Sequence, residues 1–273
     1  MAKFVEFEQV SHTYVTEQGK TIPALQDVSF SIEKNQFIAV VGPSGCGKST
    51  LLRLLAGLIP ASQGRVSVFG HQVIEPRDDV GIVFQKPTLL PWLSILDNVL
   101  FPLKHKYNYV SVKDKDRAIG LIKMVGLGDF LSQRPDELSG GMQQRIGIAR
   151  ALLLDPDILI MDEPFSALDA LSREEMGFEL QRIWQEKPKT VLFITHSISE
   201  AVLLADKVLI MGQRPGTIAE ELDINLARPR DIETIHDPEF SEYTTVIRRH
   251  IYQPKSQESK QNTDNVSHLK TVA

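Results

Sequence analysis

The sequence has a single cysteine, no long apolar run and no excess of basic charge, and each absence excludes something. One thiol, Cys46, can form neither an internal disulfide nor a multi-cysteine metal site. No apolar stretch approaches the ~20 residues that cross a bilayer, so any membrane process it serves needs another subunit to do the spanning. A net charge of −5 argues against a general electrostatic grip on nucleic acid. The opening MAKFVEFEQV is acidic and alternating, unlike a signal peptide, and a cytoplasmic protein is expected. What remains is ordinary for a globular chain. Its 273 residues, 42% hydrophobic and 24% charged, allow one or two domains with a sizeable core.

Apolar patterning divides the chain. FVEFEQV and ALQDVSFSI alternate as half-buried strands do, and FIAVV, GRVSVFG and VGIVF extend the β pattern. From Asp97 to about Ser132 the spacing is helical, at DNVLFPL and RAIGLIKMV, and GMQQRIGIARALLL is a further helix stopped by DPD. ILIMD, TVLFITH and KVLIMG read as buried strands separated by the helical REEMGFELQRIWQE and ISEAVLLA. Buried strands alternating with helices predict an α/β fold with a mostly parallel sheet covered on both faces. Residues of about 97–154 read as an inserted helical subdomain, and 252–273 as a polar, disordered tail.

Between FIAV and a leucine-rich helix lies GPSGCGKST, comprising Gly42, Pro43, Ser44, Gly45, Cys46, Gly47, Lys48, Ser49 and Thr50. Its G-x-x-x-x-G-K-[ST] spacing lets backbone N–H groups turn inward around phosphate oxygens, with the helix N-terminus behind them. Lys48 reaches the β- and γ-phosphates and the Ser49 hydroxyl can ligate Mg²⁺. Such a loop predicts a bound nucleoside triphosphate.

Three further stretches supply chemistry. In ILIMDEP, Asp162 follows a buried strand and suits the shell of a metal ion, while Glu163 is placed to activate water; the bland alternative is a helix-starting acidic pair. His196 ends TVLFITH, at the carboxyl end of a strand where open α/β sheets bind ligands. In LSGGMQQR, Ser139 can cap a helix whose first amides Gly140 and Gly141 leave bare, a second anion site on a chain with one phosphate loop.

GPSGCGKST, the glutamine of VFQKP, LSGGMQQR, ILIMDEP, SALD and the TH at 195–196 resemble the Walker A, Q-loop, signature, Walker B, D-loop and H-loop of ATP-binding cassette (ABC) ATPases. The resemblance covers about residues 4–250. It implies a P-loop ABC cassette with an N-terminal antiparallel β part and a helical subdomain carrying the signature. It also implies ATP and Mg²⁺ as cofactors, with Tyr14 stacking on adenine and Lys48, Ser49 and Thr50 serving phosphates and metal. By the same resemblance Gln85 contacts Mg²⁺ and water, Asp162 supports the metal, Glu163 is the base and His196 contacts the γ-phosphate. Ser139 and Gly141 would contact the γ-phosphate held by a second protomer, with Asp169 at that interface, so two chains sandwich two ATPs head to tail.

An importer subunit is the first reading; a soluble cassette acting in repair or translation and a P-loop kinase are the alternatives. FQKPTLLPWLSILDNVLFPL and MGQRPGTIAEELDINLARPRD resemble the nitrate, sulfonate and taurine importer group. That resemblance implies a permease, a solute-binding protein, a place on the cytoplasmic face of the membrane and no nucleic acid. The leading solute is taurine or an aliphatic sulfonate, with nitrate, bicarbonate and a thiamin-precursor pyrimidine as alternatives. Leu89, Leu90, Trp92 and Leu93 lie in a Pro-broken segment without helical or strand period. They are expected either to fill the helical core or to form a groove for a short permease helix.

Overall fold

The computed structural model describes residues 3–166 and 168–252, so the tail expected at 252–273 lies outside the described residues beyond Tyr252. The described strands form two sheets whose facing residues pack into one core cluster. The first is antiparallel: β1 (Lys3–Val15) pairs with β2 (Thr21–Glu33) on one side and β4 (Gln63–Val68) on the other, and β4 carries the two-residue β5 (His71–Gln72).

The second sheet holds β3 (Phe37–Val41), β6 (Val80–Val83), β7 (Ile158–Asp162), β8 (Thr190–Ile194) and β9 (Lys207–Met211) in the order β9-β3-β8-β7-β6, all parallel. An antiparallel edge strand, β10 (Ile218–Asp223), closes the β9 side. Every residue of β3 and β8 is buried, which is why those segments are apolar without alternation. Their period of two divides the core. Phe37, Ala39 and Val41 face one cluster with the helices, and Ile38 and Val40 face another with the antiparallel sheet and α1 (Lys48–Leu55).

Between β6 and β7 the chain forms α2 (Ile95–Tyr107), α3 (Val112–Met124) and α4 (Gly140–Leu152). α2 starts two residues before the sequence reading because the Ser94 hydroxyl accepts the Asp97 N–H at 3.1 Å. It ends at Asn108, whose φ of 53° tolerates the left-handed turn, and Ser111 and Asp114 then form a capping box that opens α3. After β7 come α5 (Ala170–Glu186) and α6 (Ile198–Leu204), and after β10 come α7 (Ile232–His236) and α8 (Pro238–Tyr252).

The sequence reading did not anticipate α7 and α8. α8 buries only Phe240, Thr244 and Ile247, a narrow stripe with a polar residue in its middle. Arg230 anchors the approach to these helices. Fully buried, it donates to the carbonyls of Val202, Leu203 and Ala205 at the end of α6 and of Ile224 and Leu226. A cation among helix-terminal carbonyls is favourably placed, although desolvation lowers its pKa to about 10.

Candidate functional site

The glycine loop begins where β3 ends and closes at Gly47, the N-cap of α1. Gly47 has φ 101°, and a Cβ there would lie 2.6 Å from Leu25 Cδ2 and 2.9 Å from the Ala24 carbonyl. Only glycine fits both the conformation and the space. Lys48 is 6% exposed, and its ammonium donates to the carbonyls of Gly42 at 2.9 Å and Pro43 at 3.1 Å, so the loop wraps around its own cation. The first turn of α1 carries no acidic side chain, which leaves its positive end available to an anion. Ser49 is exposed and Thr50 buried; the Tyr14 hydroxyl lies 3.3 Å from Thr50 Oγ1. Cys46 is buried against Met211, and burial pushes its thiol pKa up, which suits packing better than redox chemistry.

Three of the expected catalytic residues meet at one carboxylate. Glu163 follows β7 in the left-handed region at φ 46°, held by its N–H to the Ile194 carbonyl at 2.9 Å. Such a conformation is strained for a residue with a Cβ and persists where the surroundings impose it. It directs one carboxylate oxygen to His196 Nε2 at 2.6 Å, while the other accepts from Gln85 Nε2 at 3.3 Å. Asp162, half-buried beside it, has a carboxyl pKa raised first by desolvation and then by the charge of Glu163, with Arg53, Lys48 and His196 opposing the shift.

The signature residues lie elsewhere. Ser139 caps α4, its hydroxyl accepting from Met142 N at 3.3 Å, and Ser139 and Gly140 are exposed. Among the described residues, no hydrogen bond joins Ser139, Gly140 or Gly141 to the phosphate loop of the same chain. Gly141 faces Leu168, one residue before Asp169, which is itself exposed and caps α5 by accepting the Ser172 N–H at 3.0 Å.

The segment after Gln85 is held from behind. Gln144 on α4 donates to the Phe84 carbonyl at 3.1 Å, and Arg150 on the same helix donates to the Thr88 carbonyl at 2.7 Å. Asn98, fully buried, accepts from Leu90 N and donates to the carbonyls of Leu90, Leu93 and Ser94. That single amide fixes the Pro-broken segment. The structure divides the segment: Leu89 packs against the main core, Leu90 and Leu93 are half-buried, and Trp92 is 68% exposed. Leu90 also lines a neighbouring open cavity of about 360 Å³, walled by Val80, Ile82, Phe84, Phe101 and Arg150.

Residues 25–166 match the family model described as ABC transporter. The chain belongs to the ABC transporter family. This cassette is similar to the taurine import ATP-binding protein TauB of Rhizobium johnstonii, 45% identical over 89% of this chain and 95% of that protein. It is 42% identical to the nitrate import ATP-binding protein NrtD of Synechococcus elongatus, over 91% of this chain and 92% of that protein. A further relative is the aliphatic sulfonates import ATP-binding protein SsuB of Bacillus cereus, 42% identical over 80% of this chain and 85% of that protein. Among solved structures, a dimeric ATP-binding cassette in a post-hydrolysis state with ADP and Pi superposes with a TM-score of 0.70 at 33% identity, covering 82% of this chain and all of that one.

Sequence reasoning missed Gly216, Glu200 and Arg173 at this cassette's site and gave Thr195 no role beyond its place in the TH pair. Gly216, in the RPG turn, backs the phosphate loop so closely that a Cβ would sit 1.9 Å from the Cys46 carbonyl. The turn was visible, but its contact joins residues far apart in sequence. Thr195, Glu200 and Arg173 line the same cavity of about 330 Å³ as Glu163 and His196. S-x-x-E at Ser197–Glu200 reads locally as a helix cap, which hid Glu200.

Proposed function

We propose that this protein is the ATP-binding and ATP-hydrolysing subunit of a membrane importer for a small anionic solute, taurine or an aliphatic sulfonate before nitrate. The observation that carries the hydrolytic part is the convergence of Gln85 and His196 on the two oxygens of Glu163, beside Asp162 and the phosphate loop. In this reading the loop amides and Lys48 hold the triphosphate, Tyr14 stacks on adenine, Gln85 orients water, Glu163 takes its proton and His196 holds the γ-phosphate. Ser49, Gln85 and Asp162 offer oxygen donors with a single carboxylate. Among the described residues no group of three acidic, histidine or cysteine side chains could hold a metal, which fits Mg²⁺ arriving with the nucleotide rather than a dedicated cage. When bound, Mg²⁺ would neutralise charge on the β- and γ-oxygens.

The exposed Ser139 and Gly140, with no hydrogen bond to their own phosphate loop among the described residues, complete the site of a second protomer in a head-to-tail dimer. No described helix is long and apolar enough to cross a membrane, so the permease does the spanning and this subunit sits peripherally on its cytoplasmic side. The Leu89–Leu93 segment and the adjoining apolar cavity receive a short permease helix, and a solute-binding protein delivers the solute on the far side. The solute assignment rests on similarity to taurine, sulfonate and nitrate import subunits. Reconstitution with the cognate permease and binding protein tests it: ATP hydrolysis is expected to rise with taurine or an alkanesulfonate. Stimulation by nitrate alone would move the assignment, and absence of ATP hydrolysis under all conditions would overturn the function.

A further inference from the structure

His196 stands between two residues whose side chains are tied into one small network. Thr195 is 3% exposed, and its hydroxyl accepts the N–H of Ser197 at 2.9 Å while donating to Glu200 at 2.5 Å. Ser197 in turn caps α6 by accepting the Glu200 N–H at 3.3 Å. In an ordinary S-x-x-E capping box the glutamate would accept the N–H of the capping serine. Here Thr195 takes that N–H, and Glu200, 8% exposed, is freed to bind the hydroxyl preceding His196. A buried carboxylate is costly, and nothing in helix capping requires it to reach out of the helix. The Thr195 hydroxyl, held by Glu200, therefore bridges the two residues that flank His196.

The other oxygen of Glu200 faces Arg173, whose Nε lies 3.4 Å away, buried and without an aligned hydrogen bond. Arg173 also donates to the Leu168 carbonyl at 3.0 Å, one residue before Asp169. Together Arg173 and Glu200 wall the catalytic cavity on one side and a second cavity of about 220 Å³ on the other, which leaves the guanidinium room to shift. We propose that Glu200 is a positioning residue for His196, acting through the Thr195 hydroxyl, and that Arg173 joins this unit to the loop carrying Asp169. The inference rests on the ATP-hydrolysing reading above. It assigns the Asp169 loop, exposed where the second protomer would approach, a direct mechanical link to the catalytic histidine.

The test is steady-state ATP hydrolysis by the full chain carrying Thr195→Val, Thr195→Ser, Glu200→Gln and the Thr195→Val/Glu200→Gln pair. Thr195→Val and Glu200→Gln are each expected to lower kcat about 10- to 100-fold with KM for ATP within about twofold, the effect of displacing a catalytic group by a fraction of an ångström. Thr195→Ser keeps the hydroxyl and should stay near wild type. The pair should be no slower than its slower member, because both substitutions break one chain of contacts. Effects that multiply, or a Glu200→Gln kcat within twofold of wild type, would overturn the proposal. Should Glu200→Gln fail to fold, the Val-against-Ser comparison at Thr195 decides alone. Wild-type protein that hydrolyses no ATP would instead refute the underlying function.

Discussion

The side-chain amide of Gln144 donates to the main-chain carbonyl of Phe84 across 3.1 Å, which ties the signature helix to the residue before Gln85. Gln144 is 2% exposed, whereas Phe84 at the other end of the bond is 45% exposed. With Arg150 gripping Thr88, α4 holds both ends of the segment that links Glu163 to the proposed permease groove. In the proposed head-to-tail dimer, movement of α4 toward a partner's nucleotide would be carried into that segment.

Gln144→Met should therefore keep the volume of the side chain and lose the link. Losing one part-buried hydrogen bond costs about 0.5–1.5 kcal/mol, so the melting temperature is expected to fall by a few degrees. Solute-stimulated hydrolysis in the reconstituted transporter should fall further than basal hydrolysis. An unchanged ratio of stimulated to basal rate would show that α4 does not transmit through Phe84.

Glu163→Gln keeps the shape of the side chain and takes away the proposed base. Hydrolysis is expected to slow by roughly 10²–10⁴, the usual contribution of a positioned general base. ATP would then persist and hold two protomers together, seen as a dimer by light scattering only when ATP is present. A variant that stays monomeric with ATP yet turns over normally would count against both the base and the sandwich.

How much of this was legible depends on the range of the contacts involved. Short apolar runs located β3, β7 and β8, because strands buried on both faces need little from distant sequence. The phosphate loop and Ser139 cap were legible for the same reason: each is a local backbone device with a fixed spacing. The convergence of Gln85, Glu163 and His196 was implied by resemblance alone, since only the parallel order β6-β7-β8 brings their strand ends together. Arg173 and Arg230 left no local signal and Gly216 showed only as part of a turn, because their partners are fixed by tertiary packing. α8 was hidden by its polar surface.

Asp162 gives a pH-dependent prediction. Its pKa in the folded protein is raised above the unfolded value of about 3.9, chiefly by desolvation. A raised pKa means the stability it contributes is fully present below the unfolded value and is lost as pH rises through the folded one. Ionised Asp162 therefore works against the nucleotide-free fold at neutral pH. Asp162→Asn should melt above wild type there, and the gap should close as pH falls toward about 3.9. Mg²⁺ with ATP should stabilise wild type more than the variant, because the carboxylate belongs to the proposed metal shell. A nucleotide-free variant that melts lower at neutral pH would contradict the desolvation account.

Trp92 separates the two roles expected for the Pro-broken segment. Large aromatic side chains are usually buried, yet this one is 68% exposed between the half-buried Leu90 and Leu93, while Asn98 holds the surrounding backbone. The segment's shape thus depends on the Asn98 amide and not on the indole. Trp92→Ser is expected to change stability by no more than about 0.5 kcal/mol, as surface substitutions do. ATP affinity of the isolated subunit should also hold. Exposed tryptophans at interface centres carry much of the binding energy, so association with the permease should weaken by about 2 kcal/mol or more, roughly 30-fold. Co-purification with the permease and solute-stimulated hydrolysis measure this directly. A variant that assembles and couples like wild type would move the docking surface off Trp92, toward the cavity walled by Phe84 and Phe101.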